Sequence, residues 1–317
     1  AAECVSAPEL AAYGPAPAAA PTAGDASGAT RTDRLGRVVA PGMVNGQGPF
    51  RFIIDTGANR SVLSQDIATR LGLSATGVGQ VNSIYGVSTA PMVEVDSLRY
   101  GDLNLGGGGA LPVFQGPMLA GEHGLLGVDG MSGRRLKIDF DRRCIEIVAS
   151  RGARGLGPWT TVRGELRFGH LVLMRGRVGA IDVAMFIDTG ADTSLANFAL
   201  RDRLRESTPI RVERTELVRA YAAGNSIVLN DAMALRRVNL GQIEVDNIFA
   251  YVGDFHIFRL WELTDTPALL IGMDVLSRTR GIAIDYERAT VHFRLRDQVR
   301  TGSRIEGVRN PGVTVAN

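Results

Sequence analysis

The stretch Phe52-Ile53-Ile54-Asp55-Thr56-Gly57-Ala58 returns later in the chain as Met185-Phe186-Ile187-Asp188-Thr189-Gly190-Ala191. In each copy an apolar run suited to a buried strand ends on a carboxylate, and Thr-Gly then turns the chain sharply. The flanks continue alike, as Asn59-Arg60-Ser61-Val62-Leu63 and Asp192-Thr193-Ser194-Leu195. One Asp-Thr-Gly is an ordinary turn. Two of them, each closing a matching apolar strand, describe one site built from two halves.

The duplication extends well beyond these turns. Val38-Val39-Ala40 and Met43-Val44 lead through Asn45-Gly46-Gln47-Gly48 into Phe50 to Ile54, and Asn-Gly between apolar runs is a strong hairpin signal. Leu171-Val172-Leu173, Val178-Gly179-Ala180-Ile181-Asp182 and Val183 to Ile187 repeat the unit. A helix-compatible stretch follows each turn, Ser64 to Leu71 and Phe198 to Leu204. Next comes a hairpin with a glycine tip, around Tyr85-Gly86 in the first half and Tyr221 to Gly224 in the second. Each half then offers an apolar run ending in glycine, Leu125-Leu126-Gly127 and Leu270-Ile271-Gly272, and closes on Ile138-Asp139-Phe140 or Ile284-Asp285-Tyr286. Asp188 lies 133 residues after Asp55, whereas Gly272 lies 145 after Gly127 and Asp285 lies 146 after Asp139. Order is preserved, and the second half carries about a dozen extra residues before its Leu-Leu-Ile-Gly.

Composition narrows the class. With 317 residues, 45% of them hydrophobic, the chain is near two domains and can bury a sizeable core. Its 39 glycines and few aromatics suit an all-β protein with many tight turns. The expected division is an Ala/Pro-rich flexible segment over 1–30 (a tether or a disordered lead), a first lobe over 31–150, a connector over 151–165, a second lobe over 166–296 and a polar tail over 297–317. A net charge of +2 gives no strong pull toward nucleic acid or anionic lipid, and no apolar run approaches the roughly 18 residues of a membrane span. Cys4 and Cys144 lack Cys-x-x-Cys spacing and the four histidines are scattered, so no metal or cofactor is expected. The two cysteines fit either one disulfide in an oxidising compartment or two unrelated thiols. The start, Ala1-Ala2-Glu3-Cys4, fits either a mature end left by signal-peptide removal or a truncated chain.

Paired carboxylates facing each other cannot both ionise easily, so they share a proton near working pH. One can then take a proton from a water while the other protonates a substrate carbonyl, which is general acid–base hydrolysis of an amide. The Thr56 and Thr189 hydroxyls can hydrogen-bond across the two-fold axis. Gly57 and Gly190 permit tight turns and present backbone N–H groups to the carboxylates. Taken singly, each of these residues is only turn-forming.

The two Asp-Thr-Gly-Ala turns and the two apolar-apolar-Gly runs resemble the aspartic protease family, in its two-lobed pepsin form and its retroviral form. They are most similar to bacterial retropepsin-like proteases with both halves fused in one chain. The resemblance covers about Leu35 to Leu295. It implies an all-β, bilobal, pseudo-two-fold fold working as a monomeric single chain, with Asp55 and Asp188 catalytic and supported by Thr56, Gly57, Ala58, Thr189, Gly190 and Ala191. It also implies psi-shaped bracing at Leu125-Leu126-Gly127 and Leu270-Ile271-Gly272, and an endopeptidase acting on an extended protein or peptide substrate. A substrate flap is implied at Tyr85 and Gly86, with a second candidate at Tyr221 and Gly224; retroviral enzymes have two flaps and pepsins one, and both arrangements stay open. Ala58 and Ala191 stand where pepsins carry Ser or Thr, which implies a less acidic carboxyl pair and an optimum nearer mildly acidic or neutral pH. The alternative is a non-catalytic peptide-binding module that kept the fold; the six intact Asp, Thr and Gly residues favour an enzyme. A periplasmic or secreted location is expected. Whether residues 1–30 form an inhibitory pro-segment stays open.

Overall fold

A computed structural model of the chain describes residues 26–29, 31–32, 36–101, 103–106, 109–115, 119–151, 155–168, 171–207, 212–222, 225–296 and 303–305. After the short strands β1 (Ala26–Ala29) and β2 (Arg31–Thr32), β3 (Val38–Val44) and β4 (Gln47–Ile54) form the first hairpin. Its turn residues Asn45 and Gly46 both have positive φ, 49° and 72°, the backbone that Asn-Gly favours in a two-residue hairpin. β4 buries Phe50, Phe52, Ile53 and Ile54 and leaves Arg51 exposed. β5 (Val62–Ser64) runs into α1 (Gln65–Arg70), where the Ser64 hydroxyl accepts from the Ile67 N–H at 3.3 Å and caps the helix. The hairpin β6 (Ala75–Ser83)–β7 (Gly86–Val95) follows, then β8 (Leu98–Tyr100), β9 (Leu103–Gly106), β10 (Gly109–Phe114), β11 (Gly124–Leu126), β12 (Arg134–Asp139) and β13 (Cys144–Ala149).

The second half repeats this plan. It comprises β14 (Thr160–Arg167), β15 (Leu171–Val178), β16 (Ile181–Ile187), β17 (Ser194–Ala196), α2 (Phe198–Ser207), β18 (Val212–Ala222), β19 (Asn225–Leu240), β20 (Ile243–Val252), α3 (His256–Leu260), β21 (Ala268–Ile271), α4 (Met273–Leu276), β22 (Gly281–Asp285), β23 (Thr290–Arg294) and β24 (Ser303–Ile305). The strand orders β6-β7-β10-β5-β11-β4-β3 and β18-β19-β20-β17-β21-β16-β15 are the same path through two curled sheets. Where the first half breaks its strands into β7–β8 and β9–β10, the second runs straight through β19 and β20. The glycines that turn the chain there, Gly101 and Gly241, have φ of 55° and 61°, a left-handed backbone that only glycine adopts cheaply.

The halves are joined edge to edge. β12 pairs antiparallel with β22, Ile138 opposite Ile282 and Leu136 opposite Ile284, and β13 and β23 flank them. The Ile-Asp-aromatic segments thus close the two halves onto each other. Buried side chains from both sides, among them Phe52, Leu136, Ile138, Met185, Ile271 and Ile284, form one continuous core. The fold is all-β and two-lobed. Strands also occur where tether, connector and tail were expected: Ala26–Ala29 pairs with β13, Thr160–Arg167 with β15 and β23, and Ser303–Ile305 with β20. Cys144, buried at the start of β13, is disulfide-bonded; Cys4, the other cysteine of the sequence, lies outside the described residues.

Candidate active site between the two halves

β4 and β16 end side by side, and each delivers its aspartate at the first residue past the strand. The two turns then lock together reciprocally. The Thr56 hydroxyl donates to the Ile187 carbonyl at 3.0 Å and accepts the Thr189 N–H at 3.1 Å. The Thr189 hydroxyl donates to the Ile54 carbonyl at 2.6 Å and accepts the Thr56 N–H at 3.2 Å. Both threonines are buried, so four polar backbone groups that strand ends would otherwise leave unpaired are satisfied across the two-fold axis.

Each carboxyl is held by its own turn. Asp55 Oδ1 accepts the N–H groups of Gly57 and Ala58, both at 2.9 Å. Asp188 Oδ1 accepts those of Gly190 at 2.8 Å and Ala191 at 3.2 Å. The two carboxyls lie close enough for each to shift the other's ionisation. The glycines make that approach feasible. A Cβ on Gly57 would sit 2.5 Å from the Asp188 carboxyl, and one on Gly190 would run into that of Asp55. Burial pushes both carboxyls above the usual range, Asp188 furthest, because the Asp55 charge adds to its desolvation. On Asp55 the rise is opposed by its hydrogen bonds and by the Arg37 charge.

Beneath each turn lies the same brace. β11 runs parallel to β4 and antiparallel to β5, and β21 does the same with β16 and β17. The Asp55 N–H donates to the Leu126 carbonyl at 2.9 Å, and that of Asp188 to Ile271 at 3.0 Å. Gly127 and Gly272 pass so close to the turns that a Cβ would lie 2.7 Å from the backbone of Arg60 and Thr193 respectively. Ser61 and Ser194 extend the brace: each hydroxyl accepts the glycine N–H at 3.1 Å and donates to a carboxylate, Asp129 at 2.6 Å and Asp274 at 2.8 Å. These two Ser–Asp pairs went unassigned in the sequence. Their signal is there, since each serine stands six residues past its turn aspartate and each acid two past its glycine.

The paired carboxyls form part of the lining of a cleft of about 750 Å³, a size suited to several side chains of a bound chain. The β6–β7 hairpin supplies Gln80 to Ile84 to its lining. Tyr85 at its tip is mostly buried, and burial followed by the charges of Asp192 and Asp188 pushes its hydroxyl pKa upward. The expected flap residues Tyr85 and Gly86 thus stand at the tip of a hairpin whose preceding residues line the cleft, and neither is itself among the lining residues. The β18–β19 hairpin holds the equivalent place in its own sheet; Tyr221 is the penultimate residue of β18, and Gly224 lies outside the described residues.

Arg37 is a residue the sequence did not single out. It is buried at 6% exposure and lines the cleft with Asp55. Strand register shows what stands opposite. Ala40 pairs with Phe52 and Met174 with Met185, so Arg37, three residues before Ala40, corresponds to Leu171. The same position is cationic beside Asp55 and aliphatic beside Asp188. Among the described residues no group of three or more His, Cys, Asp or Glu is placed to hold a metal ion, and no helix is long and apolar enough to cross a membrane.

A family model described as aspartyl protease matches residues 40–129 and again 174–275. Each match contains one Asp-Thr-Gly-Ala turn and one bracing glycine, and together they cover well over half of the chain. No curated protein matches it. With two matched halves meeting at two interlocked turns, the chain belongs to the aspartyl protease family.

Proposed function

We propose that this chain is an aspartic endopeptidase that cleaves an extended polypeptide lying in the cleft, working as a single chain with Asp55 and Asp188 as its catalytic pair. The observation that carries this is the close pairing of two carboxyls on reciprocally locked turns, each carboxyl lying against the glycine of the opposite turn. Such a pair holds one proton over the working range, because the second ionisation would put two like charges in contact. The Arg37 charge favours the ionised form of Asp55, and Leu171 offers Asp188 no such help. In this reading the proton rests on Asp188. Asp55 takes a proton from water as the water oxygen bonds to the scissile carbonyl carbon, and Asp188 gives its proton to the carbonyl oxygen. Collapse of the resulting gem-diol breaks the C–N bond: the proton gained by Asp55 passes to the leaving nitrogen, and one gem-diol hydroxyl returns its proton to Asp188 as the carbonyl re-forms, restoring the pair.

Raised pKa values on both carboxyls support an optimum at mildly acidic to neutral pH rather than a strongly acidic one. Export to an oxidising compartment such as a periplasm is part of the proposal, supported by the disulfide at Cys144. The test is incubation with an unstructured protein substrate, with and without a pepstatin-type inhibitor, alongside Asp55→Ala and Asp188→Ala. Cleavage that both substitutions abolish is expected. A wild-type protein that binds the substrate and leaves it intact would instead make this a peptide-binding module.

A further inference from the structure

Residues 253–267, between β20 and β21, are longer than their first-half counterpart, residues 115–123 between β10 and β11. The extra chain builds α3, and α3 is where the first half's hairpin lands. The Ile257 N–H donates to the Ile84 carbonyl at 3.2 Å. His256 Nε2 lies 3.0 Å from Asn82 Oδ1. The Tyr85 ring packs on Phe255 with centroids 5.9 Å apart, and Ile84 and Tyr85 rest on the apolar cluster of Phe255, Phe258 and Trp261. Ile257 sits in the first turn of α3, whose amides have no acceptor within the helix, and Phe255 at the N-cap makes no side-chain cap. The hairpin carbonyl therefore satisfies a donor that the helix cannot.

We propose that this insertion is a receptor for the flap: α3 of the second half fixes the hairpin of the first half in its closed position, with Ile257 and His256 as positioning residues for Tyr85. Its meaning for catalysis rests on the protease reading; the docking does not. Ile257 and Trp261 also line the cleft, so one segment both holds the cover and forms part of the wall beneath it.

Amide hydrogen exchange on the substrate-free protein tests the docking without any turnover. The Ile257 amide is expected to exchange at least about tenfold more slowly than an unpartnered first-turn amide. In Asn82→Ala/Tyr85→Ala that protection is lost, while the Leu263 amide, which donates to the Phe258 carbonyl at 2.8 Å within the same segment, keeps its rate. His256→Ala, which removes no core side chain, gives the same comparison with an Ile257 amide at least about threefold faster. An Ile257 amide that is unprotected in the wild type, or unmoved in both variants, overturns the proposal. With substrate, His256→Ala is expected to raise KM about fivefold and leave kcat within about twofold. Absence of cleavage by the wild type would refute the protease reading and leave the exchange result standing.

Discussion

Asp274 gives the most quantitative prediction. Its carboxylate lies in the first turn of α4, largely enclosed, and accepts the Ser194 hydroxyl at 2.8 Å. Burial pushes its pKa up from 3.8 to about 6, against the opposing pull of Ser194, Arg278 and backbone donors. The native state therefore holds this proton more tightly than the unfolded chain does. Between pH 4 and pH 6 stability falls as pH rises; below that window both states are protonated, and above it both are ionised. At 1.36 kcal/mol per pKa unit, the loss across the window is about 3 kcal/mol. Asp274→Asn removes the titration and keeps an oxygen that can accept from Ser194. Urea denaturation of both proteins at pH 4, 5, 6 and 7, each in an Asp55→Asn background to prevent self-cleavage, measures the difference. The variant is expected to gain about 3 kcal/mol on the parent between pH 4 and pH 7. The misplaced amide nitrogen lowers both ends of that comparison alike. Stability curves that stay parallel to within about 0.5 kcal/mol would refute the reasoning, because they would mean the carboxylate is solvated.

The other predictions concern the turns. Thr189→Val keeps the shape but orphans the Ile54 carbonyl and the Thr56 N–H, both buried; at about 1–3 kcal/mol for each unsatisfied group, a loss of about 2–6 kcal/mol is expected in chemical denaturation. Gly190→Ala drives a Cβ into the Asp55 carboxyl; displacement of a reacting group by about an ångström costs about a hundredfold, so kcat should fall by at least that much while circular dichroism stays native. Arg37→Leu gives Asp55 the surroundings Asp188 has; removing the cation raises the lower apparent pKa of the pair, so the acidic limb of the pH–rate profile moves to higher pH and the basic limb moves little. Arg37→Lys should restore the original limb.

What the sequence made legible is what local pattern encodes. Alternating apolar residues around Asn45-Gly46 specify the first hairpin whatever surrounds it, and the same unit is visible at Leu171 to Ile187. The helices α1 and α2 fall on the two stretches whose residues suit a helix. Duplication then turned local readings into a tertiary one, since two strands ending in Asp-Thr-Gly make best sense when they meet. The remainder depends on contacts between residues far apart in the chain. Nothing local says that Ile138 faces Ile282, or that Arg37 corresponds to Leu171, because register is set by pairings and not by composition. The Ser61–Asp129 and Ser194–Asp274 braces were missed because serine past a turn and aspartate at a helix start are each ordinary on their own. The dozen extra residues were visible as an offset, but that half of them fall in residues 253–267, where the other half's hairpin lands, is a property of packing.

The differences between the halves carry as much meaning as the repeat. In a strictly symmetric pair of halves, a bound peptide could run in either direction with equal energy, and either aspartate could hold the proton. Here Arg37 stands on the Asp55 side where Leu171 stands on the other, and the second-half wall presents Phe168, Leu171, Leu260 and Trp261 to the cleft. Phe168 and Leu260 remain 44% and 40% exposed, as befits apolar side chains that gain cover only when a chain lies across them. The hairpin that covers the site comes from the first half, and the helix that receives it comes from the second. Each asymmetry acts on a different step: the charge on the proton, the wall on the side chain accepted, the receptor on closure. All three are fixed relative to the same two turns, so in the proposed protease they are expected to select one direction of a bound peptide together rather than independently. Reversing the charge asymmetry alone, with Arg37→Leu and Leu171→Arg combined, should therefore weaken cleavage without reversing the cleavage preference.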